Sequence, residues 1–275
     1  MDTGSITTAE GFRSAHAEIF ADVSAMAEDL DDRRALGGTG CPGWTVRDIV
    51  AHIVDLESLL IGRPRPDHVV PEDLPYIRNA PGKFMEIGVD ARRSMPLRDL
   101  LAEYDEVTEK RLSRLDDLDD AQLDDMGQGF FRPSKVRSFL GIRVFDLWSH
   151  EQDLRRALGH PGGFGGIAAA HSRERMIMGA GNTIQERLSP AAGSSVVFDI
   201  GGPGGALRAI AFDGERGPAG ADLPGNPTAT LRLDLNTLTV LACGRSDDPD
   251  ARSRVAVEGD QILGRRVLED LAVTP

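Results

Sequence analysis

The chain reads as an α+β protein in two parts, a helical part over 1–190 and a small α+β part over 191–275. Three observations carry this expectation. Apolar residues recur at helical spacing through most of the first part. From about Gly193 they give way to short runs rich in Val, Ile and Leu, broken by Gly201-Gly-Pro-Gly-Gly205 and Asp213-Gly214. A length of 275 residues suffices for two domains.

The first helix is expected from Thr8 to Arg34, with Phe12, Ala15, Ile19, Phe20, Val23, Met26 and Leu30 on one face. Gly37 to Gly43 is a loop. Thr45 with Asp48 has the form of a capping box, although Glu or Gln is the commoner partner. It opens a helix with a wide apolar face that ends at Gly62, before Pro64 and Pro66. His52 lies in that helix. Five prolines (Pro64, Pro66, Pro71, Pro75 and Pro81) make 63–81 a long connection, the kind of segment that is often functional. A helix over about Lys83–Arg93 follows, and then one led by Pro96 and carried by Leu97, Leu100, Leu101, Tyr104, Val107, Leu112 and Leu115. Asp116 to Asp125 reads as a solvated acidic connector.

A long helix then runs from a cap at or near Ser134 to Leu158, with Gly159 and Pro161 as its stop. Ile167 to about Leu188 closes the first part. In the second part, 195–200, 206–212, 229–234 and 254–258 read as strands, and 236–243 and 260–271 as helices. The Gly201 to Gly205 run lacks the Lys-Ser/Thr ending of a phosphate loop.

Composition narrows the partners. A net charge of −13 argues against nucleic acid and against anionic membrane surfaces. No run approaches the ~18 apolar residues of a membrane helix, and the first ten residues lack the basic start of a signal peptide. Two cysteines far apart, Cys41 and Cys243, form no disulfide framework and fit a reducing cytoplasm. The chain is expected as a monomer or homodimer.

Asp146 and His150 are four apart on the long helix and share a side of it. With His52 from the second helix they can hold one divalent metal ion. Spacing alone leaves two readings open, that metal site or an ordinary surface pair beside a partly buried histidine. Glu151 and Asp153 can orient the ligands as outer partners or pair with Arg155 and Arg156. Cys41 reads as a small apolar residue, or as a nucleophile near a helix start.

The stretches Cys41-Pro-Gly-Trp-Thr-Val-Arg-Asp-Ile-Val-Ala-His52 and Phe145-Asp-Leu-Trp-Ser-His-Glu-Gln-Asp-Leu-Arg-Arg-Ala-Leu-Gly159 resemble the mycothiol-dependent maleylpyruvate isomerase family. That family belongs to the DinB-like metal-binding four-helix bundles. The region Thr228 to Leu271, with Val257-Glu-Gly-Asp-Gln-Ile-Leu-Gly264, is similar to the family's sterol-carrier-like C-terminal α+β domain. The resemblance implies a zinc ion on His52, Asp146 and His150. It implies mycothiol, an actinobacterial thiol, as co-substrate, and an arginine for an anionic substrate, for which Arg78 is the nearest candidate. The family's characterised isomerase carries Glu where this chain carries Asp146, one methylene shorter.

The function so implied is a metal-dependent thiol transferase or isomerase that activates mycothiol as a thiolate against a small electrophile, in detoxification or natural-product tailoring. Transfer stands ahead of the maleylpyruvate isomerisation itself. The competing readings are a non-catalytic ligand-binding protein and a thiol-independent metalloenzyme.

Overall fold

The structure, a computed structural model, describes residues 4–213 and 219–273. Gly214 of the expected Asp213-Gly214 turn lies outside the described residues, as do the first three residues of the N-terminal segment. The chain divides into two compact units, 6–162 and 163–274, the second joined by Gly4 and Ser5. The helix expected to close the first part therefore falls in the second unit.

The helical unit is built on four long helices, α1 (Ala9–Ala27), α3 (Val46–Leu60), α5 (Leu97–Asp116) and α6 (Val136–Leu158). Two shorter helices accompany them, α2 (Asp32–Ala35) and α4 (Ala80–Arg92). Thr8 caps α1 by accepting from the Gly11 amide, and Phe12, Ala15, Ile19, Phe20 and Val23 bury its apolar face. This helix stops at Ala27, short of the expected Arg34. Asp31 accepts from the Arg34 amide at 2.7 Å and starts α2 as a separate turn. The local acceptor outcompetes continuation of the ladder.

The Thr45–Asp48 capping box forms as expected, with the Thr45 amide donating to Asp48 Oδ2 at 2.9 Å. Helix α3 is buried along most of its length, including its polar residues Asp48, His52, Asp55, Glu57 and Ser58. It is thus the central helix of this unit. Helix α4 packs on it through Gly88, where an added Cβ would stand 1.8 Å from Asp55 Cγ. Only glycine permits that approach. The segment between them, 63–79, carries no helix or strand, as its prolines require.

Helix α6 begins at Val136, after Lys135, with no side-chain cap, so the cap expected at or near Ser134 is absent. Ser134 and Lys135 instead form a short strand, β2, paired antiparallel with β1 (Met126–Gly127). Gly159, with φ of 73°, closes α6 in the left-handed conformation.

The second unit carries α7 (Ile167–Leu188) and a five-stranded sheet of order β5-β4-β3-β6-β7. The strands are β3 (Ser195–Gly201), β4 (Ala206–Ala211), β5 (Ala219–Ala221), β6 (Ala229–Asp234) and β7 (Ala256–Gly259). Central β3 pairs antiparallel with β4 and parallel with β6. Asp234 caps α8 (Leu235–Ala242), and Asp260 caps α9 (Gln261–Glu269). Among the described residues no helix is long and apolar enough to cross a membrane.

Candidate metal centre

The candidate centre is built between α3 and α6. His52 sits seven residues into α3, on a helix buried on nearly every side, so its ring is shut in. Asp146 and His150 follow one another by one turn on α6. His52 Nε2 lies 3.2 Å from Asp146 Oδ2, and His150 Nε2 lies 3.6 Å from Asp146 Oδ1. One ligand atom from each of the three falls within 4.8 Å of the other two. The helices thus bring together the three residues singled out by spacing. His52 and His150 are buried, whereas 30% of the Asp146 side chain remains exposed, so the centre opens on its carboxylate side.

These dimensions fit a small divalent cation. A tetrahedral shell with bonds of about 2.1 Å has ligand-to-ligand edges of about 3.4 Å. The donor set, two imidazoles and one carboxylate, is that of an open zinc-type site. Electrostatics agree. Burial pushes the His52 imidazole below its ordinary pKa, against the pull of Asp146, and keeps a lone pair available at neutral pH. Burial opposes ionisation of Asp146, but His52 and Arg143 outweigh it and hold the carboxyl well below the usual range.

The surroundings of the two histidines differ. His150 Nδ1 lies 3.1 Å from Asp153 Oδ2, which fixes the ring from behind, and Asp153 is itself paired with Arg156 at 2.5 Å. His52 Nδ1 is buried with no hydrogen-bond partner among the described residues. Its ring is held by packing instead. Trp44, just ahead of the α3 cap, lies over both imidazoles, with ring centroids 4.9 Å from His52 and 5.6 Å from His150. The indole is anchored in turn, donating to Glu86 Oε2 at 2.8 Å.

Glu151 turns elsewhere. It accepts from Arg155 Nε at 2.6 Å, and burial pushes its carboxyl up to about 8. Arg78 is exposed one residue ahead of the Asn79 cap of α4. Cys41 is partly exposed, and its sulfur lies within 4.8 Å of ligand atoms of His150 and Asp153.

Two residues went unread in the sequence. Arg143 donates from Nη1 to Asp146 Oδ2 and from Nε to Glu57 Oε1, the latter at 2.7 Å. Glu57 is fully buried and also faces Arg111, whose Nε lies 3.0 Å from Oε2. Charged residues within the apolar run of α3 and one turn ahead of Asp146 were the available signal.

Residues 16–155 match the family model described as mycothiol maleylpyruvate isomerase N-terminal domain. The chain belongs to this family. Among solved structures it is similar to the mycothiol-dependent maleylpyruvate isomerase, at 15% identity and a TM-score of 0.55, covering 91% of this chain and 92% of that one. A histidine-to-alanine mutant of that enzyme matches over the same shares, at 13% identity and a TM-score of 0.54. These likenesses establish the fold, a DinB-like helical unit with an α+β unit after it. No curated protein matches the chain in sequence.

Proposed function

We propose that this chain is a metal-dependent enzyme that uses mycothiol to isomerise a small, anionic, cis-configured electrophile of the maleylpyruvate type. The observation that carries the reading is the convergence of His52, Asp146 and His150 within a family whose matched domain is described by that reaction. Transfer of the thiol onto a substrate, placed ahead in the sequence reading, now stands second. The family and the solved structures it resembles are described by isomerisation.

His52, Asp146 and His150 would hold the cation. A bound divalent cation of this kind lowers the pKa of a thiol and makes the thiolate abundant at neutral pH. The chain's own residues supply the rest. Buried His52 remains an unprotonated donor. Asp153 holds the His150 ring at a fixed angle. Trp44 covers the imidazoles on one side and excludes water there, so a co-substrate approaches from the side where Asp146 is open.

The substrate chemistry balances without a further reactant. The thiolate adds to one carbon of the cis double bond, and the electron pair moves onto the conjugated carbonyl. The bond, now single, rotates; return of the pair expels the thiolate and leaves the trans alkene.

The test is a direct assay of zinc-loaded protein with maleylpyruvate, with and without mycothiol. Trans product formed only with thiol, and lost on chelation, supports the reading. A stable thiol–substrate conjugate as the end product moves the assignment to a transferase. Turnover independent of thiol points to a metalloenzyme of another class, and saturable binding with no turnover to a binding protein.

A further inference from the structure

Asp146 is the short ligand of the centre, and its reach is limited. Its carboxylate must meet His52, on a different helix, as well as His150 on its own. The structure shows what aims it. Oδ2 is held by two groups, His52 Nε2 at 3.2 Å and Nη1 of Arg143. Oδ1 is left toward His150. Arg143 lies one turn earlier on α6 and is almost wholly buried. An arginine left to itself samples many rotamers, but this one is pinned. Its Nε donates to Glu57 Oε1 at 2.7 Å, and Glu57 Oε2 is taken by Arg111 of α5 at 3.0 Å. Glu57 stands on α3, five residues after His52. A continuous path thus runs from the helix that bears His52, through Glu57 and Arg143, to the carboxylate on α6.

We propose that Arg143, locked by Glu57, is the positioning residue of the metal centre: it fixes the orientation of Asp146 and thereby sets the affinity for the cation. The inference rests on the metal reading above. It concerns residues that do not touch the cation, and it differs from a purely structural ion network in what it moves. A structural network changes the stability of the bundle. A positioning network changes metal affinity in protein that is still folded. Outer partners of metal ligands typically contribute about 10–100-fold in affinity.

Arg143→Met is the informative variant, because it leaves Glu57 paired with Arg111, and the carboxylate it does deprive of a partner, Asp146, is 30% exposed. Zinc affinity is measured by competition with a chromogenic chelator, on protein shown to be folded by circular dichroism. The expected result is a loss of about 10–100-fold relative to the parent. Glu57→Gln, which removes the lock and keeps the arginine, is expected to lose less in the same direction. Arg143→Lys is a second variant, retaining charge but not the fork, and is read the same way. Parent-like or tighter zinc binding in a folded Arg143 variant overturns the positioning role and leaves the metal reading intact. A parent protein that binds no zinc overturns both.

Discussion

Two buried polar clusters lie side by side in the helical unit, and they meet the cost of burial differently. The Glu57 cluster has more cationic donors than its one carboxylate needs. One carboxylate from α3 faces two guanidiniums, Arg111 and Arg143, and the second of these passes its remaining charge to Asp146. The His52 cluster is a set of acceptors and ring nitrogens turned toward one another, with one carboxylate among two imidazoles. Two imidazoles and a carboxylate converging on one point offer lone pairs to a cation beyond the one contact that Arg143 makes; a carboxylate enclosed by guanidiniums does not. The difference teaches where a ligand belongs in this bundle. A buried polar cluster is a candidate cation site when lone pairs converge in it, not merely because it holds charge.

The largest effect that would sharpen this contrast comes from the Glu57 cluster. Glu57→Ala takes the facing carboxylate from Arg111, leaves Arg143 with Asp146 alone, and is expected to cost about 3–5 kcal/mol of folding stability, read by urea denaturation. A loss below about 1 kcal/mol would mean that water already reaches the guanidiniums, and the cluster would no longer count as buried.

His16, fully buried on α1, gives the next effect. Burial, with a smaller push from Arg111, lowers its pKa to about 4. The unfolded chain takes up the proton near pH 6.5, well before the folded chain does. Stability is therefore full above pH 6.5 and is lost as the pH falls toward 4, by about 3 kcal/mol from this group. His16→Leu is expected to flatten that part of the pH–stability curve. An unchanged slope would show that the ring is solvated in the folded state.

A smaller effect probes the His52 cluster. Asp146→Glu adds one methylene to the ligand held by Arg143. The positioning account expects a change in zinc affinity within about tenfold, since the charge is kept and only the aim alters. Total loss of zinc would show that the length of this side chain, and not its orientation, governs the centre.

Much of this was legible in the residues. The caps at Thr8 and Thr45–Asp48, the stop at Gly159 and the proline-rich connection all act locally, and local signals survive in a single sequence. The convergence of the three candidate residues was legible for the same reason: a 3.6-residue period places Asp146 and His150 together, and one histidine stands in the neighbouring apolar run. One local choice escaped reading, the break after Ala27, where Asp31 accepts from the Arg34 amide three residues ahead. The rest of what escaped is non-local. The close pass of Gly88 over Asp55 joins two helices separated by a long loop. The Glu57–Arg143 pair spans 86 residues of sequence, and no periodicity announces it. Trp44 reads as a packing residue until the fold lays it over two imidazoles.

The central claim, that His52, Asp146 and His150 form one metal centre, is tested most directly by elemental analysis of parent and His150→Ala protein after equal exposure to zinc. The account expects about one zinc per parent chain and close to none on the variant, with the helical content of both unchanged. Equal zinc on both proteins, or none on the parent, would contradict it.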